Sequence, residues 1–441
     1  MKINIFTANT ISQLYFTMPS ESANNRNIIF LVTVAALGYF VDIYDLVIFS
    51  IVRLQSFKDI GVKPENMRIN GEFVLNMQMG GLLLGGILWG IIGDKFGRIK
   101  VLFGSILLYS IANGLNGLVH TINMYGIVRF AAGVGLAGEL GAGITLVSET
   151  ISKDKRGYGT MIVAVVGLFG AAIAATVAKH FSWQTAYFVG GGLGILLLFL
   201  RLGTFESGMF KEAEHSNVSR GNILMLFTDR KRFFKYLYCI LMGAPLWFVV
   251  GILVTQAPEF GKALQSATML SAGTGILYTY FGIAAGDLAA GLLAQLTKSR
   301  KKTMMLFHVL SLISVFIYLK TVGITEQQFI WLCLFMGFSC GYWATFVTIA
   351  SEQFGTNIRA TVTTTVPNFV RGALIPITYI FEKMVAHYGI ISSARIMMVL
   401  LIVVAFFSIN QLKESFDKDL DYLEADDLNH NTSGTANVSI K

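Results

Sequence analysis

The run Gly93-Asp94-Lys95-Phe96-Gly97-Arg98-Ile99-Lys100 decides how this chain folds. It lies between two apolar segments, roughly 73–92 and 101–119. Each is about 20 residues long, the length that carries an α-helix across a bilayer core. Two such helices joined by so few residues form a tight hairpin. Its turn carries the cations Lys95, Arg98 and Lys100 against one anion, Asp94. Short cationic loops stay in the cytoplasm, so the run sets both a location and a direction.

Composition agrees. Of 441 residues, 54% are hydrophobic and 14% charged, and the mean hydropathy is +0.62. A soluble domain carries about 25% charged residues. The chain therefore reads as an integral membrane protein whose first partner is the lipid bilayer. Its net charge of +8 comes from cations in loops between apolar spans, as topology requires, so no nucleic-acid partner is expected. Cys239, Cys333 and Cys340 lie inside or at the edge of apolar spans. They show neither a disulfide framework nor metal-ligand spacing. The histidines are scattered. No metal and no cofactor is expected, and no catalytic constellation marks an enzyme. The first 26 residues lack the apolar core of a signal peptide, so the first span, from Ile28, reads as a retained anchor.

Hydropathy gives twelve spans: 28–56, 70–92, 101–119, 122–150, 158–179, 184–203, 234–257, 266–296, 303–320, 327–350, 360–386 and 389–411. Segments on the side of the N-terminus carry about three times as many Lys and Arg as those opposite. That places both termini in the cytoplasm of a multi-pass protein of the cell (inner) membrane. The expected organisation is a cytoplasmic N-terminal segment 1–27, a six-helix bundle 28–203, a cytoplasmic linker 204–232, a second six-helix bundle 233–412, and an acidic cytoplasmic tail 413–441.

The halves repeat. Ser148-Glu149, then six residues, then Arg156-Gly157 recurs as Ser351-Glu352, then six residues, then Arg359-Ala360. The same offset lays Lys95 on Lys298 and Arg98 on Lys301, while Asp94 becomes Thr297 and Gly97 becomes Arg300. Duplicated halves with parallel topology are an architecture of secondary transporters, with the substrate site between the halves near the midplane.

Over nearly its whole length the chain resembles the major facilitator superfamily. Gly90-x-x-Gly93-Asp94-Lys95-x-Gly97-Arg98-x-Lys100 matches that family's signature between helices 2 and 3. The resemblance implies an all-α fold of twelve transmembrane helices in two pseudo-symmetric six-helix bundles. It also implies a cytoplasmic gate formed by Asp94, Arg98, Glu149 and Arg156, with Glu352 and Arg359 as counterparts. Two stretches narrow the match. Helix 1 carries Asp42-Ile43-Tyr44-Asp45, and helix 4 carries Arg129 and Gly138-Glu139. These are similar to the proton-coupled aromatic-acid symporters and the related nicotinate carriers. Helix 7, Pro245-Leu246-Trp247-Phe248-Val249-Val250-Gly251, has no carboxylate of the kind phosphate symporters carry. Helix 5 lacks the Gly-Pro pair of the drug antiporters.

Ionisable groups at membrane depth are costly and mark function or pairing. Asp42 and Asp45 lie three residues apart near the middle of span 1, on nearly one helix face. They are candidate proton-coupling groups, or a structural pair for Arg129. Glu139 is either a second proton site or a packing group. Arg129 keeps its charge and needs an anion: an aspartate of helix 1, Glu139 or the substrate. The expected arrangement is a switch in which protonation of that carboxylate frees Arg129. Arg371 lies near the middle of span 11 and suits a substrate carboxylate, with Asp287 as the alternative partner. Tyr44, Gln78, Trp247, Gln256, Tyr278, Tyr280, Trp343 and Asn368 are the further candidates to line the cavity.

The expected function is import of a small organic anion with protons by alternating access, the anion being an aromatic or heteroaromatic monocarboxylate such as nicotinate or benzoate. The expected state is a monomer. The alternatives are a carrier of phosphate, a dicarboxylate or a zwitterion, an exporter of the same fold, and a non-transporting membrane sensor.

Overall fold

The computed structural model describes residues 21–150, 153–203 and 225–416. The tail from 417 and most of the expected linker, 204–224, lie outside the described residues. Every regular element among those described is helical. In the first half, α1 is Glu21–Asp59, α2 Met67–Phe96, α3 Arg98–Asn116, α4 Ile122–Thr150, α5 Lys153–His180 and α6 Trp183–Leu200. In the second, α7 is Arg230–Val254, α8 Ala272–Thr297 and α9 Arg300–Lys320. The next helix, α10, comes in two pieces, Glu326–Cys340 and Trp343–Glu352. Helix α11 begins with Thr356–Gly372 and continues to about residue 388. Gly389, at φ 73° and ψ 163°, breaks the stretch Leu374–Gln411, and α12 follows as 390–411. These are the twelve crossings of the expected all-α membrane fold in two six-helix bundles.

Local chemistry sets the helix starts. Ser182, Asp229, Ser271 and Ser299 each accept a hydrogen bond from the amide three residues on, opening α6, α7, α8 and α9. Thr325 and Gln328 form a reciprocal capping box at α10. Such caps move boundaries that hydropathy alone places: the expected span 266–296 starts instead after Ser271.

The repeat is visible in the packing. A side chain at Gly81 of α2 would meet the Phe130 carbonyl of α4 at 2.1 Å, and one at Gly337 of α10 would meet the Thr279 carbonyl of α8 at 2.0 Å. The helix pairs α2–α4 and α8–α10 thus meet backbone to backbone in each half. Between halves, α11 packs on α2 and α8 on α5. The quasi-equivalent turns differ: Gly97 stands at φ 99° between α2 and α3, whereas Lys298 takes the left-handed conformation between α8 and α9.

The second turn is reinforced from the far end of the chain. The Glu414 carboxylate accepts from Ser299 Oγ at 2.5 Å, Arg300 N at 3.1 Å and Lys301 N at 3.3 Å. Burial would raise this carboxyl, but the Ser299 hydroxyl and the amides of Phe416, Arg300 and Ser415 hold it below the usual glutamate value. A lowered carboxyl stabilises the native state above its unfolded value, and that share is lost as pH falls through the lowered native value. Glu414→Gln is expected to speed amide exchange at residues 300–302 at neutral pH, and the difference from wild type should vanish in acid. Hydrogen exchange read by mass spectrometry checks both halves of this statement.

Candidate functional site

The two aspartates of α1 part company. One residue step on a helix is about 100°, so positions three apart diverge by about 60°. Here that is enough to split them between the halves. Asp42 faces α11, where its Oδ2 is 3.9 Å from Nη2 of Arg371. Asp45 turns into the first bundle, against Gly190 of α6, where an added Cβ would lie 2.4 Å from its Oδ1. Both are fully buried. Neither carboxylate accepts a well-aligned hydrogen bond among the described residues.

Arg129 also lies inside the first bundle. Its Nη2 donates to the backbone oxygen of Asp45 at 2.9 Å and its Nη1 to Asn113 Oδ1 at 3.4 Å. The guanidinium stacks 5.7 Å from the Tyr187 ring. In place of the expected anion Arg129 has a neutral main-chain carbonyl, with the Asp45 carboxylate nearby but not in a direct pair.

Arg371 is the centre of the inter-half cluster. It is 1% exposed. Its Nη1 donates to Asn368 Oδ1 at 3.2 Å. The indoles of Trp247 and Trp343 flank it at 5.6 and 5.7 Å and meet each other edge-on at 6.4 Å. Arg371 Nε and Trp247 Nε1 donate to nothing among the described residues. Tyr39 and Tyr280 stand within electrostatic reach of both Arg371 and Asp42. The alternative partner, Asp287, is occupied elsewhere. Its Oδ1 accepts from Ala344 N at 3.0 Å, capping the second piece of α10 and so fixing Trp343.

Of the other candidates, Asn368 also donates to Ala137 O of α4 at 3.0 Å, joining the halves beneath Arg371. Tyr44 spends its hydroxyl on Ala186 O at 2.7 Å, and Gln78 donates to Leu46 O at 3.3 Å. Both lie within the first bundle. Tyr278 is only partly buried, beside Phe281. Gln256 lies at the face opposite the signature loop and donates to Glu72 at 2.7 Å.

That opposite face holds a network the sequence did not announce. Arg53 of α1 pairs with Glu259, just beyond α7, at 2.7 Å. Arg68 of α2 bridges Glu72 at 3.3 Å and Glu382 of α11. The Arg53–Glu259 and Arg68–Glu382 links tie one half to the other. Arg68 and Glu72 stand four residues apart on one helix, but the partners of Arg53–Glu259 and Arg68–Glu382 are separated by more than 200 residues, so no spacing rule could have paired those.

Glu139 and Arg201 form a buried, two-pronged ion pair. The expected span 184–203 already contained Arg201, which was the missed signal. Gly38 of α1 lies so close that an added Cβ would collide with both side chains. This pairing gives Glu139 a cationic partner within the first bundle. Removing one partner of a buried pair costs roughly 3–5 kcal/mol. Glu139→Ala should therefore lower thermal stability sharply, and Glu139→Met with Arg201→Met should recover most of it.

At the signature-loop face, the side chains of Asp94, Arg98, Glu149 and Arg156 lie outside the described residues. Their counterparts are described. Glu352 pairs with Arg300 at 2.8 Å, and Arg359 donates to Ser351 O at 3.3 Å. Arg300 occupies the place of Gly97, so the second loop supplies its own cation one position early. Lys301, the positional match of Arg98, instead reaches Leu412 O at 2.6 Å.

A model of the Major Facilitator Superfamily matches residues 35–373. The chain belongs to that superfamily. It is a transporter, not an enzyme. A putative metabolite transport protein of Haemophilus influenzae is 27% identical over 81% of this chain and 91% of its own length. The putative niacin/nicotinamide transporter of Bacillus subtilis is 26% identical over 77% of this chain and 84% of its own. The structure of a proton:xylose symporter bound to 6-bromo-6-deoxy-D-glucose superimposes with a TM-score of 0.66 at 18% identity, covering 90% of this chain and 98% of that one. This last likeness speaks for the facilitator fold alone.

Proposed function

We propose that this transporter imports a small aromatic or heteroaromatic monocarboxylate, of the nicotinate or benzoate kind, together with protons. The observation that carries the reading is the buried guanidinium of Arg371 between two indoles, with a donor to spare. Arg presents a planar fork that matches a carboxylate. Two indoles with planes 75° apart frame a flat ring beside it, and ring–ring contacts add about 0.5–1.5 kcal/mol beyond the area they bury. The niacin named for the Bacillus relative is of this substrate class, whereas the nicotinamide also named shares the ring and lacks the carboxylate.

Coupling follows from competition for one cation. Asp42 and the substrate carboxylate both seek Arg371. Two anions on one guanidinium leave a net negative charge in a buried site, which is costly. Protonating Asp42 removes the rival and admits the substrate. Asp45, beside Arg129 in the first bundle, is the second proton-coupling candidate. The face of the Asp94 loop is cytoplasmic in this reading, and the Arg53–Glu259 and Arg68–Glu382 links close the outer side. The halves then rock about the filled site.

Quenching of tryptophan fluorescence in detergent tests the substrate class directly. Nicotinate and benzoate should bind. Nicotinamide, which lacks the carboxylate, should bind about 10–100-fold more weakly, the worth of a charged hydrogen bond. A short aliphatic acid should also be weaker, for want of a ring. Equal affinity for nicotinate and nicotinamide would remove Arg371 from the site, and tight binding of inorganic phosphate with no aromatic acid bound would favour the phosphate alternative.

A further inference from the structure

Trp247 and Trp343 each follow a break in their helix, and both breaks meet at one buried side chain. In α7, Pro245 brings no N–H, and Leu246 N turns back to Gly243 O at 3.3 Å. The Met242 carbonyl is thereby left out of the helical ladder. His308 of α9, fully buried, occupies the gap with Nε2 2.9 Å from Met242 O. Its Nδ1 is 2.7 Å from Met304 O. The ring stacks on Tyr342 with centroids 4.7 Å apart and planes 25° from parallel. Tyr342 is the second of the two residues between the pieces of α10, directly before Trp343.

Both ring nitrogens face carbonyl oxygens, and a carbonyl only accepts. A neutral imidazole has a single N–H. Either neutral tautomer would set a nitrogen lone pair against an oxygen at one of these two contacts. The imidazolium donates to both. Met242 also follows directly on the C-terminus of the helix Arg230–Leu241, where the aligned peptide dipoles favour a cation. The groups that face the ring are Met242 from α7, Tyr342 from α10, Phe406 from α12 and, on its own helix, Met304. Among the described residues, no carboxylate, lysine or arginine exerts a charge effect on it. All these neighbours belong to the second half.

We propose that His308 is a proton-binding site, and that its protonated form is the positioning residue that holds the α7 and α10 breaks so that Trp247 and Trp343 frame Arg371. The inference deepens the aromatic-carboxylate reading and rests on it for its consequence, though not for the proton itself. Loss of the proton leaves one N–H between two carbonyls, so one contact turns repulsive and the ring shifts against Tyr342, loosening the indole frame. Because its contacts lie within the second half, away from the path between the halves, this proton tunes affinity and is not carried across. Substrate affinity therefore gains a pH dependence separate from that of Asp42, falling as pH rises through the titration of His308.

Two measurements on the full chain in nanodiscs test this. The first is nitrogen NMR of histidine-labelled protein, with the His308 signal identified by its absence in His308→Gln. Two protonated ring nitrogens are expected at mildly acidic pH; the spectrum of a neutral tautomer throughout the mildly acidic range would overturn the proposal. The second is nicotinate titration by tryptophan fluorescence across mildly acidic to mildly alkaline pH, in an Asp42→Asn background. Affinity should weaken about tenfold, the effect of one unit of proton linkage. Adding His308→Gln, whose amide still donates to Met242 O, should flatten the profile and keep the binding, while His308→Phe should weaken it at every pH. Identical pH profiles with and without His308→Gln would overturn the positioning role. If no variant binds nicotinate, the substrate reading fails, and the NMR result decides the proton site by itself.

Discussion

Arg371→Ala should abolish nicotinate binding and uptake, a loss of about 100-fold or more in affinity. Truncating one partner of a buried, hydrogen-bonded charge pair costs about 2–5 kcal/mol or more in binding. The fork of Arg371 is the only fixed positive charge described between Trp247 and Trp343. The variant should also be less stable by roughly 3–5 kcal/mol, because Asp42 stays buried with its nearest cation gone. The two effects can be separated. Asp42→Asn added to Arg371→Ala should restore much of the thermal stability and none of the binding. Arg371→Lys should fail as well, since an ammonium cannot reproduce the planar fork. Thermal unfolding and ligand titration on the same preparations check all three variants. Full binding by Arg371→Ala would mean that the substrate carboxylate rests elsewhere, with Arg129 as the next candidate.

Asp42→Asn should uncouple transport without stopping it. The asparagine cannot compete for Arg371 as an anion, so the substrate needs no proton to enter. Wild type should accumulate substrate against its gradient by up to about tenfold for each pH unit of imposed gradient and each proton carried. The variant should reach only equilibrium, while exchange of internal for external nicotinate continues. Paired measurements of net uptake and exchange in vesicles separate these outcomes. Gradient-driven accumulation by the variant would move the coupling role to Asp45.

The fold was legible because membrane depth leaves so few options. With backbone polar groups obliged to pair internally, an apolar stretch of the right length is a helix. The expected break between spans 11 and 12 falls at Gly389, where the chain turns. The α7 break had a sequence signal in Pro245, but the α10 break was not legible. Gly341 and Tyr342 sit in a stretch as apolar as its surroundings, and hydropathy does not register a lost backbone bond. The same holds for the π-helical turn Val249–Val254.

The site was legible residue by residue and not pair by pair. Asp42, Arg371, Trp247, Trp343 and Asn368 were each marked by being polar or aromatic at depth, and the fold brings them together. Their pairing depends on how two bundles face each other, which no periodicity encodes. Hence Arg371 finds Asp42 and not Asp287, and Arg129 finds a carbonyl and not a carboxylate. His308 stayed silent because a lone histidine in an apolar span reads as packing until its two acceptors are seen.

The most direct test of the account is uptake of labelled nicotinate into proteoliposomes, acidic outside, with a protonophore as control. The account predicts uptake above equilibrium that collapses when the protonophore is added and is absent in Arg371→Ala. Uptake indifferent to the proton gradient, or no uptake of any aromatic carboxylate by wild type, would contradict it.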